Sequence, residues 1–163
     1  MHAPFSLRTP VRKPELTLSD YIRRRNGVPA GARGGLRHML YRSLGAGSFA
    51  GFWRHWNPLF GYLLGRYIFV PLKRMMPSAL ALIVTFVICG AIHDLVTTAA
   101  RRSVAFFFTP WFLFLALGLL IGRAARMNLS RQPWLVRAAA NLSYIATCLA
   151  AAVTIKRLFT LWA

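Results

Sequence analysis

Three long apolar runs in the second half of the chain constrain its fold more than any other feature. Residues 77–98, 104–122 and 138–155 each hold at most one Asp, Glu, Lys or Arg. A helix that crosses the roughly 30 Å hydrocarbon core of a bilayer needs about 20 mainly apolar residues. Each run is close to that length, so we predict about three transmembrane helices.

A fourth apolar run, residues 59–72, is shorter and contains Arg66. At about 14 residues it suits an amphipathic or re-entrant helix at the membrane surface better than a complete crossing. We find no alternating pattern of the kind that strands require. The sequence therefore predicts an all-α integral membrane protein with about three transmembrane helices, one amphipathic or re-entrant helix and a basic N-terminal region.

The charge distribution divides the chain into two parts. Lys and Arg number 21 against 3 Asp and Glu, and the formal net charge is +18. Hydrophobic residues make up 56% of the chain, which argues against a soluble nucleic-acid-binding arm as a description of the whole. We predict a basic juxtamembrane region at residues 1–47 and a membrane-embedded core at residues 48–163, with anionic membrane lipids rather than nucleic acid as the partners of the basic residues.

The same charges predict an orientation. With three spans, seventeen Lys and Arg fall on the N-terminal side of the membrane and four on the other side. Because positively charged loops remain in the cytoplasm, we expect the N-terminus to be cytoplasmic. Cys89 and Cys148 lie inside apolar runs, which is typical of buried thiols, and we expect neither a disulfide nor a metal site.

The first apolar run carries His93 and Asp94 side by side. An ionisable side chain inside a bilayer is a functional-site hypothesis by default, although an intramembrane His can also serve only to hydrogen-bond a neighbouring helix. On a helix, Gly90 lies on the face of His93. Its missing side chain leaves space either for a substrate or for the close approach of another helix.

A cluster of aromatic and polar residues, FWRHWNP at residues 52–58, precedes the fourth apolar run. One interpretation is an interfacial aromatic belt with Arg54 on lipid phosphate. Asn57 is the residue that this interpretation leaves unexplained, because a carboxamide within the membrane needs hydrogen-bond partners.

Three segments in order resemble the membrane-bound O-acyltransferase family (MBOAT). Residues 48–57 (SFAGFWRHWN) resemble its first motif, with Asn57 at the polar catalytic position. Residues 66–72 (RYIFVPL) are similar to its Arg/Asp-Tyr-x-x-x-Pro-Leu segment, and residues 89–94 (CGAIHD) to its histidine motif. Asn57 and His93 are 36 residues apart, a separation that also suits the family.

The resemblance implies an acyltransferase that moves an acyl group from a thioester donor of the acyl-CoA type to a hydroxyl acceptor, with no further cofactor. His93 would act as general base and Asn57 as a hydrogen-bond donor to the acceptor or the developing oxyanion. Trp53 and Trp56 belong to the same motif and would support the site. Asp94 would orient the imidazole, if it turns inward.

Four basic residues near the predicted cytoplasmic surface are candidates for binding the donor phosphates. Lipid headgroups are an equally good explanation of their charge. They are Arg54, Arg66, Lys73 and Arg74.

The chain is much shorter than MBOAT enzymes, which surround their reaction chamber with many more membrane segments. A minimal enzyme, a chamber completed by a homo-oligomer or partner subunit, and a relative that retains the motifs without turnover are the three alternatives. The hypothesis from a different class is a noncatalytic membrane protein that binds anionic lipid or a partner protein, with Asn57 and His93 as packing contacts.

Overall fold

All regular secondary structure in the described part of the chain is helical. The computed structural model describes residues 16–104 and 106–162, which contain no strand. The first third of the predicted basic region, residues 1–15, lies outside this part. The helices, in chain order, are α1 (Leu18–Asn26), α2 (Gly35–Leu44), α3 (Phe49–His55), α4 (Pro58–Leu64), α5 (Val70–Met75), α6 (Ser78–Arg101), α7 (Phe108–Ala124) and α8 (Trp134–Trp162), with a π-helical turn (Gly65–Phe69) between α4 and α5.

Within the described ranges, two helices are long and apolar enough to cross a membrane. They are α6, with 24 residues, and the segment Trp134–Leu158 of α8, with 25. The run 104–122, which we expected to span, contributes to α7, a shorter apolar helix of 17 residues beginning at Phe108. It is about 25 Å long at 1.5 Å per residue.

The late start of α7 has a local cause. The chain leaves α6 through Arg102, whose φ of 51° lies in the left-handed region and ends the helix. The carboxylate of Asp94 then accepts hydrogen bonds from the backbone N–H groups of Phe107, Phe108 and Thr109, each at 2.8 Å. These bonds satisfy donors that have no partner inside the helix, and they fix where α7 begins.

The expected short helix at residues 59–72 is present and is extended at both ends. The segment from Pro58 to Met75 is continuously helical through α4, the π-helical turn and α5. Pro71 lies in the first turn of α5. A proline lacks an N–H and its ring crowds the carbonyl four residues earlier, so a wider turn before it avoids the clash.

Helix α3 packs into the interior against α7 and α8. Phe49 and Phe52 are buried, with exposed fractions of 4% and 1%, and they belong to one core cluster with Leu115, Leu119 and Cys148. The Phe52 ring of the aromatic cluster is therefore a core side chain, rather than part of an exposed belt at the membrane surface.

The basic N-terminal region lies at the same end of the bundle as the connection between α7 and α8. Asn141 donates from Nδ2 to the carbonyls of Leu44 and Ala46, at 2.8 and 2.9 Å. The Leu129 N–H donates to the Gly47 carbonyl at 2.7 Å. Two arginine-rich segments that are far apart in sequence are thus placed together.

Candidate functional site

An apolar cavity of about 320 Å³ lies between α3, α4, α6 and α7. Its walls are mainly aromatic and aliphatic. Asn57 and His93, which the sequence placed in separate motifs, both line it. Trp53 and Trp56 line it as well, so the structure brings four of the predicted site residues around one space.

One ring nitrogen of His93 is occupied by a hydrogen bond within α6. Its Nδ1 lies 2.8 Å from the carbonyl oxygen of Cys89, one turn earlier in α6. A carbonyl only accepts, so Nδ1 carries the proton and the neutral ring keeps the lone pair on Nε2. Phe108 and Phe112 pack beside the ring, with centroids 5.4 and 5.2 Å away. No described residue hydrogen-bonds to Nε2, so that atom is available to accept a proton.

Asn57 forms the start of α4 and leaves its amide nitrogen unused. Its φ of 37° is left-handed, a conformation that Asn tolerates better than most residues. The Oδ1 atom accepts from the Phe60 N–H at 3.3 Å, so the carbonyl side of the amide caps the helix. Nδ2 has no partner among residues 16–104 and 106–158, and it is a donor on a residue that lines the apolar cavity.

Trp53 adds a second unused donor. Its ring packs edge-on against Phe86, with centroids 5.0 Å apart, and is tilted against Phe112 at 6.3 Å. Its Nε1 is buried and finds no hydrogen-bond partner in the part of the chain described here. Buried polar groups are normally paired, so an unpaired N–H on a residue of the cavity wall is suited to an oxygen atom of a ligand.

Asp94 does not orient the imidazole of His93. Besides the three backbone donors at the start of α7, its Oδ2 accepts from the Thr109 hydroxyl at 2.6 Å. Neighbouring residues on a helix point about 100° apart, and Asp94 is turned toward α7 while His93 faces the cavity. The expected supporting role at the site is replaced by a structural one at the junction of α6 and α7.

The space at Gly90 is filled by the neighbouring helix. A Cβ at this position would lie 2.7 Å from the Phe108 carbonyl oxygen and 2.7 Å from the Cα of Thr109. Of the two explanations for this glycine, close helix packing is the one that the structure shows.

The four predicted phosphate-binding residues do not converge. Arg54 lines a second cavity, of about 470 Å³, beside the connection between α7 and α8. Arg66 donates from its guanidinium to the Tyr62 hydroxyl at 2.9 Å on the outside of the π-helical turn. Lys73 and Arg74 are exposed near the end of α5, and these last three residues line neither cavity.

Arg123 is a site residue that the sequence did not indicate. It lies in the last turn of α7 and lines both cavities. Its place at the end of an apolar run is typical of a residue that anchors a helix at the membrane surface, and only the packing of α7 against α3 reveals its position between the two spaces.

Among the described residues, no three His, Cys, Asp or Glu side chains lie close enough together to hold a metal ion. Cys89 and Cys148 are both free and buried.

No protein-family model, curated protein or solved structure matches the chain. The resemblance to the MBOAT family therefore depends on the three sequence segments alone.

Proposed function

We propose that the protein is an integral membrane acyltransferase, which moves an acyl group from a thioester donor to a hydroxyl acceptor in the apolar cavity. The observation that carries the proposal is the hydrogen bonding and position of His93. Its Nδ1 is bonded to the Cys89 carbonyl oxygen, and its ring lines the same cavity as Asn57, an exposed residue whose amide nitrogen has no partner among the described residues.

The exposure of α6 and α8 supports a membrane location. Only 28% of the most apolar stretch of α6 and 22% of that of α8 is buried inside the protein. A core helix of a soluble protein would be mostly buried. Leu95 and Val96 of α6 and Leu135 of α8 are 69%, 62% and 74% exposed, which suits contact with lipid. The excess of Lys and Arg on the N-terminal side favours a cytoplasmic N-terminus.

The proposed transfer uses two polar side chains of the cavity wall, His93 and Asn57. Nε2 of His93 takes the proton of the acceptor hydroxyl as its oxygen forms a bond to the thioester carbonyl carbon. The amide nitrogen of Asn57 donates a hydrogen bond to the oxygen that becomes negative. When the carbon–sulfur bond breaks, the proton passes from Nε2 to the departing thiolate. The products are an ester and a free thiol, and His93 is again neutral.

The cavity suits an acyl chain. Its volume of about 320 Å³ is at the lower end of ligand-binding pockets, and Phe60, Leu64, Leu82 and Phe86 are among the apolar residues of its wall. The apolar wall strengthens the hydrogen bonds that the few polar groups can make with a bound ligand.

The test is a transfer assay with the purified full-length protein in lipid nanodiscs, supplied with labelled acyl-CoA and an extract of hydroxyl-bearing acceptors. His93→Gln removes the base, and we expect the rate to fall about 10²- to 10⁴-fold. His38→Gln is the matched control, because His38 is exposed on α2 and lines neither cavity. We expect it to retain the wild-type rate.

Two results would overturn the proposal. One is transfer by the His93→Gln variant at the wild-type rate. The other is a folded wild-type protein that releases no thiol and labels no acceptor, which would favour the noncatalytic alternative, a membrane protein that binds anionic lipid or a partner.

A further inference from the structure

The second cavity, of about 470 Å³, lies between the start of α3 and the connection from α7 to α8. Four basic side chains line it, from two segments about 70 residues apart in the sequence. We call it the basic cavity and define it by Arg54, His55, Arg123 and Arg126. Asn128, Ser130 and Tyr144 add polar atoms to the same wall.

No acidic residue balances this charge within the described ranges. Asp20 pairs with the Thr17 hydroxyl at 2.6 Å in α1, and Asp94 is engaged at the start of α7. Neither lines the basic cavity. Three guanidinium groups therefore surround one space without a carboxylate partner there, which raises the local concentration of any anion.

Hydrogen bonds set the course of the backbone at Arg123 and Arg126, whose side chains are exposed. After α7 the chain turns at Arg126, whose φ is 51°, and its N–H donates to the Arg123 carbonyl at 3.1 Å. The next N–H, of Met127, donates to the Gly122 carbonyl at 3.0 Å. His55 is fixed by a bond of 2.8 Å between its Nδ1 and the Arg25 carbonyl. Hydrogen bonds thus hold the His55 ring and the backbone from Gly122 to Met127 at the wall of the cavity.

We propose that the basic cavity binds a phosphate ester. A guanidinium offers paired N–H donors that match two phosphate oxygens, and it remains charged at any physiological pH. The phosphate belongs either to a soluble ester or to the headgroup of an anionic lipid. Arg123 also lines the apolar cavity, so one molecule with a phosphate and an apolar chain can occupy both spaces; this joint occupancy rests on the proposed acyl transfer, whereas phosphate binding itself does not.

The test measures binding without any transfer reaction. Full-length protein in phosphatidylcholine nanodiscs is titrated with CoA, a soluble phosphate ester without an acyl chain. In a second arm, phosphatidic acid is added to the nanodisc lipid and its retention by the purified protein is measured. The variant is Arg126→Gln. The matched control is Arg37→Gln, an exposed arginine of α2 that lines neither cavity.

We expect Arg126→Gln to weaken binding of at least one probe about tenfold or more, because it removes charged N–H donors that match the phosphate oxygens. Arg37→Gln should change it less than about twofold, because Arg37 is as exposed as Arg126 but lines neither cavity. Loss of CoA binding alone identifies a soluble ester, and loss of phosphatidic acid retention alone identifies a lipid headgroup.

The proposal is overturned if wild type binds neither probe, if Arg126→Gln binds both as wild type does, or if Arg37→Gln weakens binding as much as Arg126→Gln. The last result would show general surface charge. Because neither arm contains an acyl donor with an acceptor, a protein that binds phosphate but transfers nothing would refute the acyltransferase and leave the phosphate site standing.

Discussion

Two regions adjoin each other on α6: its junction with α7 and the apolar cavity. They differ in whether their polar groups are hydrogen-bonded within the protein. At the junction, the two oxygens of Asp94 accept four hydrogen bonds of 2.6–2.8 Å. At the cavity, Nε2 of His93, Nδ2 of Asn57 and Nε1 of Trp53 have no partner in the described part of the chain. The first arrangement is a completed structural contact, and the second leaves donors and an acceptor for a ligand.

The difference has an energetic consequence. A buried polar group that loses its partner costs the free energy of its desolvation, so changes at the junction should lower stability. Polar groups that bond only to a ligand contribute nothing to the free protein, so changes at the cavity should lower transfer without a large effect on unfolding.

Of the four residues tested below, Asp94 at the junction has the largest expected effect, which is on stability. Asp94→Ala removes the acceptor for three backbone N–H groups and one hydroxyl, and we expect a loss of about 3–5 kcal/mol in the free energy of unfolding. Thermal unfolding in detergent micelles measures it. Asp20→Ala is the control, because Asp20 is exposed in the first turn of α1, and we expect a loss of less than about 1 kcal/mol. Equal losses would contradict the assignment of Asp94.

A second comparison separates the two ends of the Asn57 amide. Asn57→Asp keeps the oxygen that caps α4 and removes the nitrogen donor, and Asn57→Gly removes both while tolerating the positive φ. We expect both variants to transfer the acyl group about 10²- to 10³-fold more slowly, as for loss of one oxyanion donor. The expected stability change for Gly is a few tenths of a kcal/mol. Full activity of either variant would exclude the donor role.

Gly90 tests the packing of the junction. Gly90→Ala places a Cβ 2.7 Å from the Phe108 carbonyl oxygen, and we expect a loss of about 1–3 kcal/mol in stability. Gly65→Ala is the control: Gly65 has helical angles, and nothing lies within 4 Å of its added Cβ. That variant should be neutral or slightly more stable. A destabilised Gly65 variant beside an unchanged Gly90 variant would contradict the packing described for α6 and α7.

The smallest expected effect is at Trp53. Trp53→Phe retains an aromatic ring but removes the unpaired N–H, and we expect transfer to fall about three- to tenfold, the worth of one hydrogen bond. Trp111→Phe is closely matched, because Nε1 of Trp111 is also buried without a partner in the described residues, whereas Trp111 does not line the apolar cavity. Transfer rates of the two variants are measured in parallel, and we expect only Trp53→Phe to be slower. An equal loss of rate in both would show a general packing effect.

Helices were predicted well from the sequence where a long apolar run is present. Residues 78–98 of the first run and all of residues 138–155 lie inside the long helices α6 and α8, as their apolar sequences predicted. The run 104–122 lies in α7 only from Phe108 onward, because its first residues follow the left-handed turn at Arg102 and the Asp94 carboxylate binds the first N–H groups of α7. That contact joins residues thirteen to fifteen positions apart, which no local pattern reports.

The candidate site was likewise predictable only in part. The MBOAT-like segments named Asn57 and His93, and the fold places both on one cavity. The direction of Asp94 depends on the rotation of α6, and the position of Arg123 depends on how α7 meets α3. Both are properties of tertiary packing. Sequence reasoning therefore assigned to Asp94 a contact with His93 that the structure does not show, and it did not single out Arg123.

The central claim concerns two neighbouring residues of α6: His93 serves in the proposed transfer, whereas Asp94 stabilises the start of α7. The most direct measurement compares His93→Gln and Asp94→Asn in the same nanodiscs, recording both the thiol released per folded molecule and the unfolding temperature. We expect His93→Gln to lose transfer with an unchanged unfolding temperature, and Asp94→Asn to unfold at a lower temperature while each folded molecule retains its rate. A His93→Gln protein that is destabilised but transfers at the wild-type rate would contradict the account.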